Sequence, residues 1–138
     1  MTTGTTPATT RGTAPVGYQY VVLRCVPEVQ REEFVNVGVV VYSQAADYLE
    51  AAWRLDEDRL RAFAPTLDLG AVGASLDTVC RVCRGETGGG LPSLGGLGRR
   101  FGWLSAPRST VVQPGPVHGG LTTDPAGTLQ ALLDRLVG

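Results

Sequence analysis

The run Val35-Asn36-Val37-Gly38-Val39-Val40-Val41-Tyr42 constrains this chain more than any other segment. Its valines are β-branched and favour a strand. The apolar character is nearly continuous rather than alternating, so burial of both faces is expected. One polar side chain interrupts it, Asn36, the only asparagine in 138 residues. A buried amide needs hydrogen-bond partners, so Asn36 stands there for structure or for binding. An acid-rich turn, Arg31-Glu32-Glu33, leads directly into it.

The flanking pattern gives the rest of a sheet. Tyr18 to Val26 reads as a strand with Tyr18, Tyr20, Val22, Arg24 and Val26 on one face and Gln19, Val21, Leu23 and Cys25 on the other. Pro27 ends it, Glu28 to Phe34 makes a turn or short helix, and Tyr48 to Leu55 reads as a third strand. Asp56-Glu57-Asp58 supplies the cap and negative first turn of a helix to about Ala64, stopped by Pro65. Asp68 caps a longer helix to about Arg84, with Leu69, Val72, Leu76, Val79 and Val82 or Cys83 on one stripe. The glycines between Gly85 and Gly98 forbid a regular element, so a flexible excursion or lid is expected there. Arg99 to Leu104 is amphipathic, Arg108 to Gln113 reads as a strand, and Pro114-Gly115-Pro116 reads as a turn toward a loop at His118-Gly119-Gly120. Asp124 and Pro125 open a last helix with Leu129, Leu132, Leu133, Leu136 and Val137 as its apolar stripe. Residues 1–16, rich in Thr, Pro and Gly, are expected to be a disordered leader. Residues 17–138 are expected to form a single α+β domain, a small and largely antiparallel sheet of about four strands packed against two to three helices.

Charge sharpens what the chain binds. The formal net charge is -1, which excludes a polybasic nucleic-acid binder. Between Glu28 and Asp77 ten acids face four arginines, a local -6, whereas Thr87 to Thr123 holds three arginines, one histidine and no acid and suits an anion. All twelve cations are arginine and isoleucine is absent, which is the mark of a GC-rich coding bias. No run of about 18 apolar residues spans a membrane, and the N-terminus lacks a secretory layout, so a cytoplasmic protein is expected. Three cysteines without secretory context argue against a disulfide framework.

Tyr20-x-x-x-Arg24-x-x-Pro27, then Arg31-x-Glu33-Phe34-x-Asn36-x-Gly38-Val39, then Trp103-Leu104-x-Ala106-x-Arg108-Ser109-x-x-x-Gln113 and a closing helix resemble the bacterial family Domain of Unknown Function 3037. The resemblance covers about Tyr18 to Val137. It implies a genomic neighbourhood of kinase-like proteins similar to the HipA toxin class, and hence a protein partner of that kind. It carries no catalytic residues.

Several constellations suit chemistry and structure alike. Pairing of the first two strands brings Arg24 near Asn36, with Glu33 at the strand mouth to accept from the guanidinium; the trio suits a phosphate or carboxylate, or else ties down the sheet end, with Asn36 bonding turn amides. Gly38 marks a bulge or a close backbone approach. Arg99, Arg100, Arg108, Ser109, Thr110 and His118 form an acid-free set beside Trp103, whose ring can stack a base; surface arginines and a core tryptophan explain the same residues. Cys80-x-x-Cys83, Cys25 and His118 make a Cys3His inventory, but zinc needs four ligands within about 2.0 to 2.3 Å of one point, and a mid-helix cysteine pair reads instead as buried structure. His118 titrates near neutrality and is the natural general base, or else a loop residue bonded to backbone.

The binding candidates are thus Arg24, Glu33, Asn36, Trp103, Arg108, Ser109, Gln113 and His118, with no metal and no cofactor called for. The leading reading is a small cytosolic accessory module, not an enzyme, that binds a kinase-like protein partner through its sheet edge or the Trp103–His118 segment. The alternative is an enzyme handling phosphate or another small anionic ligand with Arg24, Arg108 and His118 and with Glu33 or His118 as base. A nucleic-acid binder comes third, and a membrane partner is not expected.

Overall fold

The computed structural model describes residues 14–138, so the expected leader lies outside the described residues except at its last positions. There Val16 already pairs with Thr122. Three strands follow as the sequence predicts: β1 (Val16–Cys25), β2 (Val35–Ser43) and β3 (Tyr48–Trp53). A 3-10 turn, Val29–Arg31, links the first two and closes on Glu32 in the left-handed region, φ 56°. The sheet order is β3-β2-β1, all antiparallel.

The outer side of β1 departs from expectation. The predicted Arg108–Gln113 strand is the short β4 (Val112–Pro114), and the predicted loop at His118 is a fifth strand, β5 (His118–Thr122). Both lie along the same side of β1: Leu23 faces Pro114 and Tyr20 faces His118. Val21 and Val22 thereby face Gly115, Pro116 and Val117, one residue too many, so the Pro-Gly-Pro segment is a bulge in a nearly continuous strand rather than a reversing turn. Gly115 keeps its place in the ladder by donating to the Val22 carbonyl at 2.8 Å.

A second bulge lies inside β2. Leu23 faces Gly38 and Arg24 faces Asn36, leaving Val37 as the extra residue. The bulge resets which side chains share a face: Val35 and Val37 before it join Val40 and Tyr42 after it, while Val39 and Val41 turn to the other side. Gly38 is also a close approach, since a Cβ there would sit 2.9 Å from the Ala52 carbonyl and 3.1 Å from the Trp53 Cβ.

Among the described residues, four helices cover the two faces. α1 (Glu57–Phe63), α2 (Leu69–Cys83) and α3 (Leu97–Ser105) pack Leu60, Leu76, Val79 and Phe101 on Val21, Leu23, Val37 and Val40. On the opposite face α4 (Pro125–Leu136) packs Leu129, Leu132 and Leu133 on Val39 and Val41. β2 is therefore buried from both sides, with Val39, Val40 and Val41 fully inaccessible. The caps match the sequence: Asp56, Asp68 and Asp124 accept from the amides of Arg59, Ala71 and Gly127, each at 3.1 Å. The glycine-rich excursion holds an isolated bridge between Gly88 and Leu91 and is seated rather than detached. Leu91 and Leu94 pack against the core, and Glu86 pairs with Arg81 and Arg84 at 3.0 and 2.8 Å.

Candidate functional site at the outer edge of the sheet

Cross-strand pairing puts Asn36, Arg24 and Gln113 in one row over β2, β1 and β4, on the face that carries α4. The row does not act as one unit. Asn36 donates through Nδ2 to the Leu136 carbonyl at 3.2 Å, and so caps the last turn of α4 from a hundred residues away rather than bonding turn amides. Arg54 does the same beside it, donating to the Val137 carbonyl at 3.2 Å and to Asp134 at 2.9 Å. A hollow of about 70 Å³ opens there, but Asn36 and Arg54, two of its polar walls, are thus already committed to the helix end.

The expected Arg24–Glu33 pair does not form. Glu33 instead accepts from Arg31 at 2.6 Å on the surface, and that hydrogen bond and charge hold its carboxyl below the usual range. The Phe34 ring is what lies against the Arg24 guanidinium, with Cζ 4.1 Å from the centroid. On its way out the Arg24 side chain crosses Gly115, where a Cβ would be only 3.1 Å from both Cζ and Nε. Arg24 Nε and Gln113 Nε2 are both buried and have no hydrogen-bond partner. Among the described residues no carboxylate pairs with Arg24.

His118 opens β5 and is exposed, with its ring stacked on Tyr20 at 5.2 Å, so it is a strand residue rather than a loop residue. Tyr18 stacks on Tyr20 in turn at 6.1 Å, giving an aromatic strip. Tyr20 and Arg24 are four positions apart, about 13 Å along a strand, so His118 and Arg24 do not meet at one atom of a ligand. Arg108 lies elsewhere. Its guanidinium sits 4.3 Å over the Trp103 ring and donates to the Trp103 carbonyl, and Trp103 packs with the core on the α1–α3 face. Burial pushes the Arg108 pKa down. Ser109 is exposed in the loop before β4. The sheet therefore separates Arg24 from Arg108, and the Arg24–Arg108–His118 set does not converge on one centre.

The thiols are inert by environment. Burial raises the pKa of Cys25 and Cys80, and pushes Cys83 to about 12. A neutral thiol is neither nucleophile nor ready metal ligand. Among the described residues no three His, Cys, Asp or Glu side chains are grouped to hold a metal ion.

The sheet edge expected to meet a partner is located by the strand order. From Ser109 to Thr123 the chain has no Asp, Glu, Arg or Lys, and this stretch is the outer edge of the sheet. Leu121 is 75 % exposed and Val117 47 %. The opposite edge strand, β3, carries Glu50 and is flanked by Asp47 and Arg54. Soluble proteins blunt exposed edges with charge, and β5 lacks that protection. A fifteen-residue gap in the charge pattern was the signal for it.

No curated protein and no solved structure matches this chain. Residues 20–137 match the family described as protein of unknown function DUF3037, so the chain belongs to that family.

Proposed function

We propose that this protein is an interaction module that accepts an extended segment of a protein partner as an additional strand beside β5. The observation that carries the reading is the uncharged, exposed edge from Val117 to Leu121 of a sheet whose two faces carry helices. A docked strand gains main-chain hydrogen bonds along β5, and Leu121 gives it an apolar contact on one face. On the other face the strip of Tyr18, Tyr20 and His118 offers aromatic surface. The kinase-like, HipA-similar class is the partner we put first, with the cytoplasm as the compartment; among the described residues no helix is long and apolar enough to cross a membrane.

The test is co-purification of the tagged chain with its partner from the native host, wild type against Leu121→Lys. A lysine on the edge blocks strand addition and touches nothing buried, so partner recovery is expected to fall at least about tenfold with stability unchanged within about 0.5 kcal/mol. Equal recovery with both proteins sinks the edge as the docking surface.

A further inference from the structure

Arg24 is an unusual arginine. It starts on a central strand, lies between the Phe34 ring and Gly115, and ends over the edge strand. Glycine eases that path, because a Cβ at position 115 would sit 3.1 Å from both Cζ and Nε and press the guanidinium aside by a few tenths of an ångström. The bulge sets Gly115 there. Beside it, Gln113 points a second buried amide donor without a partner. The nearby acceptors already serve other donors: Glu33 serves Arg31, and the carbonyls at the end of α4 serve Asn36 and Arg54. Buried donors are normally satisfied, and a fixed guanidinium beside an amide matches an oxyanion in both charge and geometry.

We infer that Arg24, reaching across Gly115, and Gln113 form an oxyanion-recognition point at the rim of the β4–β5 edge, and that it takes a carboxylate of the strand docked there. The inference rests on the edge-docking reading for the source of the carboxylate, but not for the existence of the point. A free anion such as phosphate shares the chemistry and is the other source to separate. The partner segment is accordingly an apolar, strand-forming stretch with an acidic residue near the end that lies over β4.

Three probes separate the possibilities: sodium acetate, a capped pentapeptide of alternating valine and threonine with a glutamate at one end, and the same peptide with glutamine. The readout is the NMR shift of the Arg24 Nε–H, the Gln113 side-chain amide and the β5 backbone amides. Acetate and the glutamate peptide are expected to move the Arg24 and Gln113 signals saturably. The glutamate peptide is also expected to move β5 and to bind at least about tenfold tighter than the glutamine peptide, as a charge-assisted bond implies. Arg24→Met, which keeps the apolar stem, removes that preference; Gln113→Leu reduces it and serves if the first variant does not fold. Equal binding of both peptides along β5, with Arg24 and Gln113 unmoved, overturns the oxyanion point and leaves edge docking standing. Acetate shifts without any β5 response to either peptide uphold the point, assign it to a free anion, and overturn edge docking by these strands. No response to any probe overturns both.

Discussion

At the scale of single residues, Asn36 resolves the question its position poses. An amide inside an apolar strand is satisfied by the end of a helix on the far side of the sequence. That the residue needed a partner was legible from the sequence; which partner was not, because the acceptor is a main-chain carbonyl in α4 and no side-chain pattern announces it. Glu33 went the other way. Its place at the strand mouth suits Arg24, yet beside the left-handed turn at Glu32 it pairs with Arg31 on the surface, and Arg24 stacks on Phe34 instead. Asn36→Ala is expected to cost about 1 kcal/mol, seen as a lower urea midpoint with faster hydrogen exchange in the last turn of α4. Unchanged stability together with lost partner binding would assign Asn36 to recognition instead.

At the scale of elements, the strands that bury valines were readable and the strand made of glycine was not. β2 announces itself through five valines, whereas β5 is His-Gly-Gly-Leu-Thr behind two prolines, a composition that local propensity assigns to a loop. Its glycines have a tertiary reason: a Cβ at Gly120 would meet the Tyr18 ring at 2.8 to 2.9 Å. The two tight glycines should respond differently to alanine. At Gly38 the obstruction includes the backbone carbonyl of Ala52, so Gly38→Ala is expected to destabilise by about 1–3 kcal/mol. At Gly120 the obstruction is a tyrosine side chain that can rotate away, so Gly120→Ala should cost less. Chemical denaturation of both variants decides it, and an equal loss contradicts the assignment of the Gly38 contact to main chain. Asp124→Ala removes the cap on α4 and should cost about 1 kcal/mol by the same measurement.

At the scale of the whole molecule, the covering of both sheet faces followed from β2, and the α+β class from the succession of strand segments and capped helices. The split between Arg24 and Arg108 did not, since it depends on which side of the sheet the chain passes between α3 and β4. Stability of the intact fold should also register the buried thiol of Cys83. Its pKa rises from 9.0 to about 12 because burial disfavours the thiolate. The folded protein then holds a proton that the unfolded chain releases, so its contribution is fully present below pH 9.0 and is lost as pH climbs toward 12. Loss on the order of a few kcal/mol over that interval is expected, and Cys83→Ala should flatten this limb of the pH–stability curve. A wild-type curve that is flat from pH 9 to 12 contradicts a desolvated Cys83.

The strand order carries a consequence for synthesis. β1 is made first yet ends in the interior of the sheet, flanked on one side by β2 and on the other by strands made near the end of the chain. Once α3 has been made, β1, β2 and β3 have all been synthesised but the partners of the outer side of β1 have not, and that strand carries a single charged side chain, Arg24. A translation pause before Val112 is therefore expected to leave the nascent chain most exposed to mispairing, because β1 then lacks the strands that flank it in the finished protein.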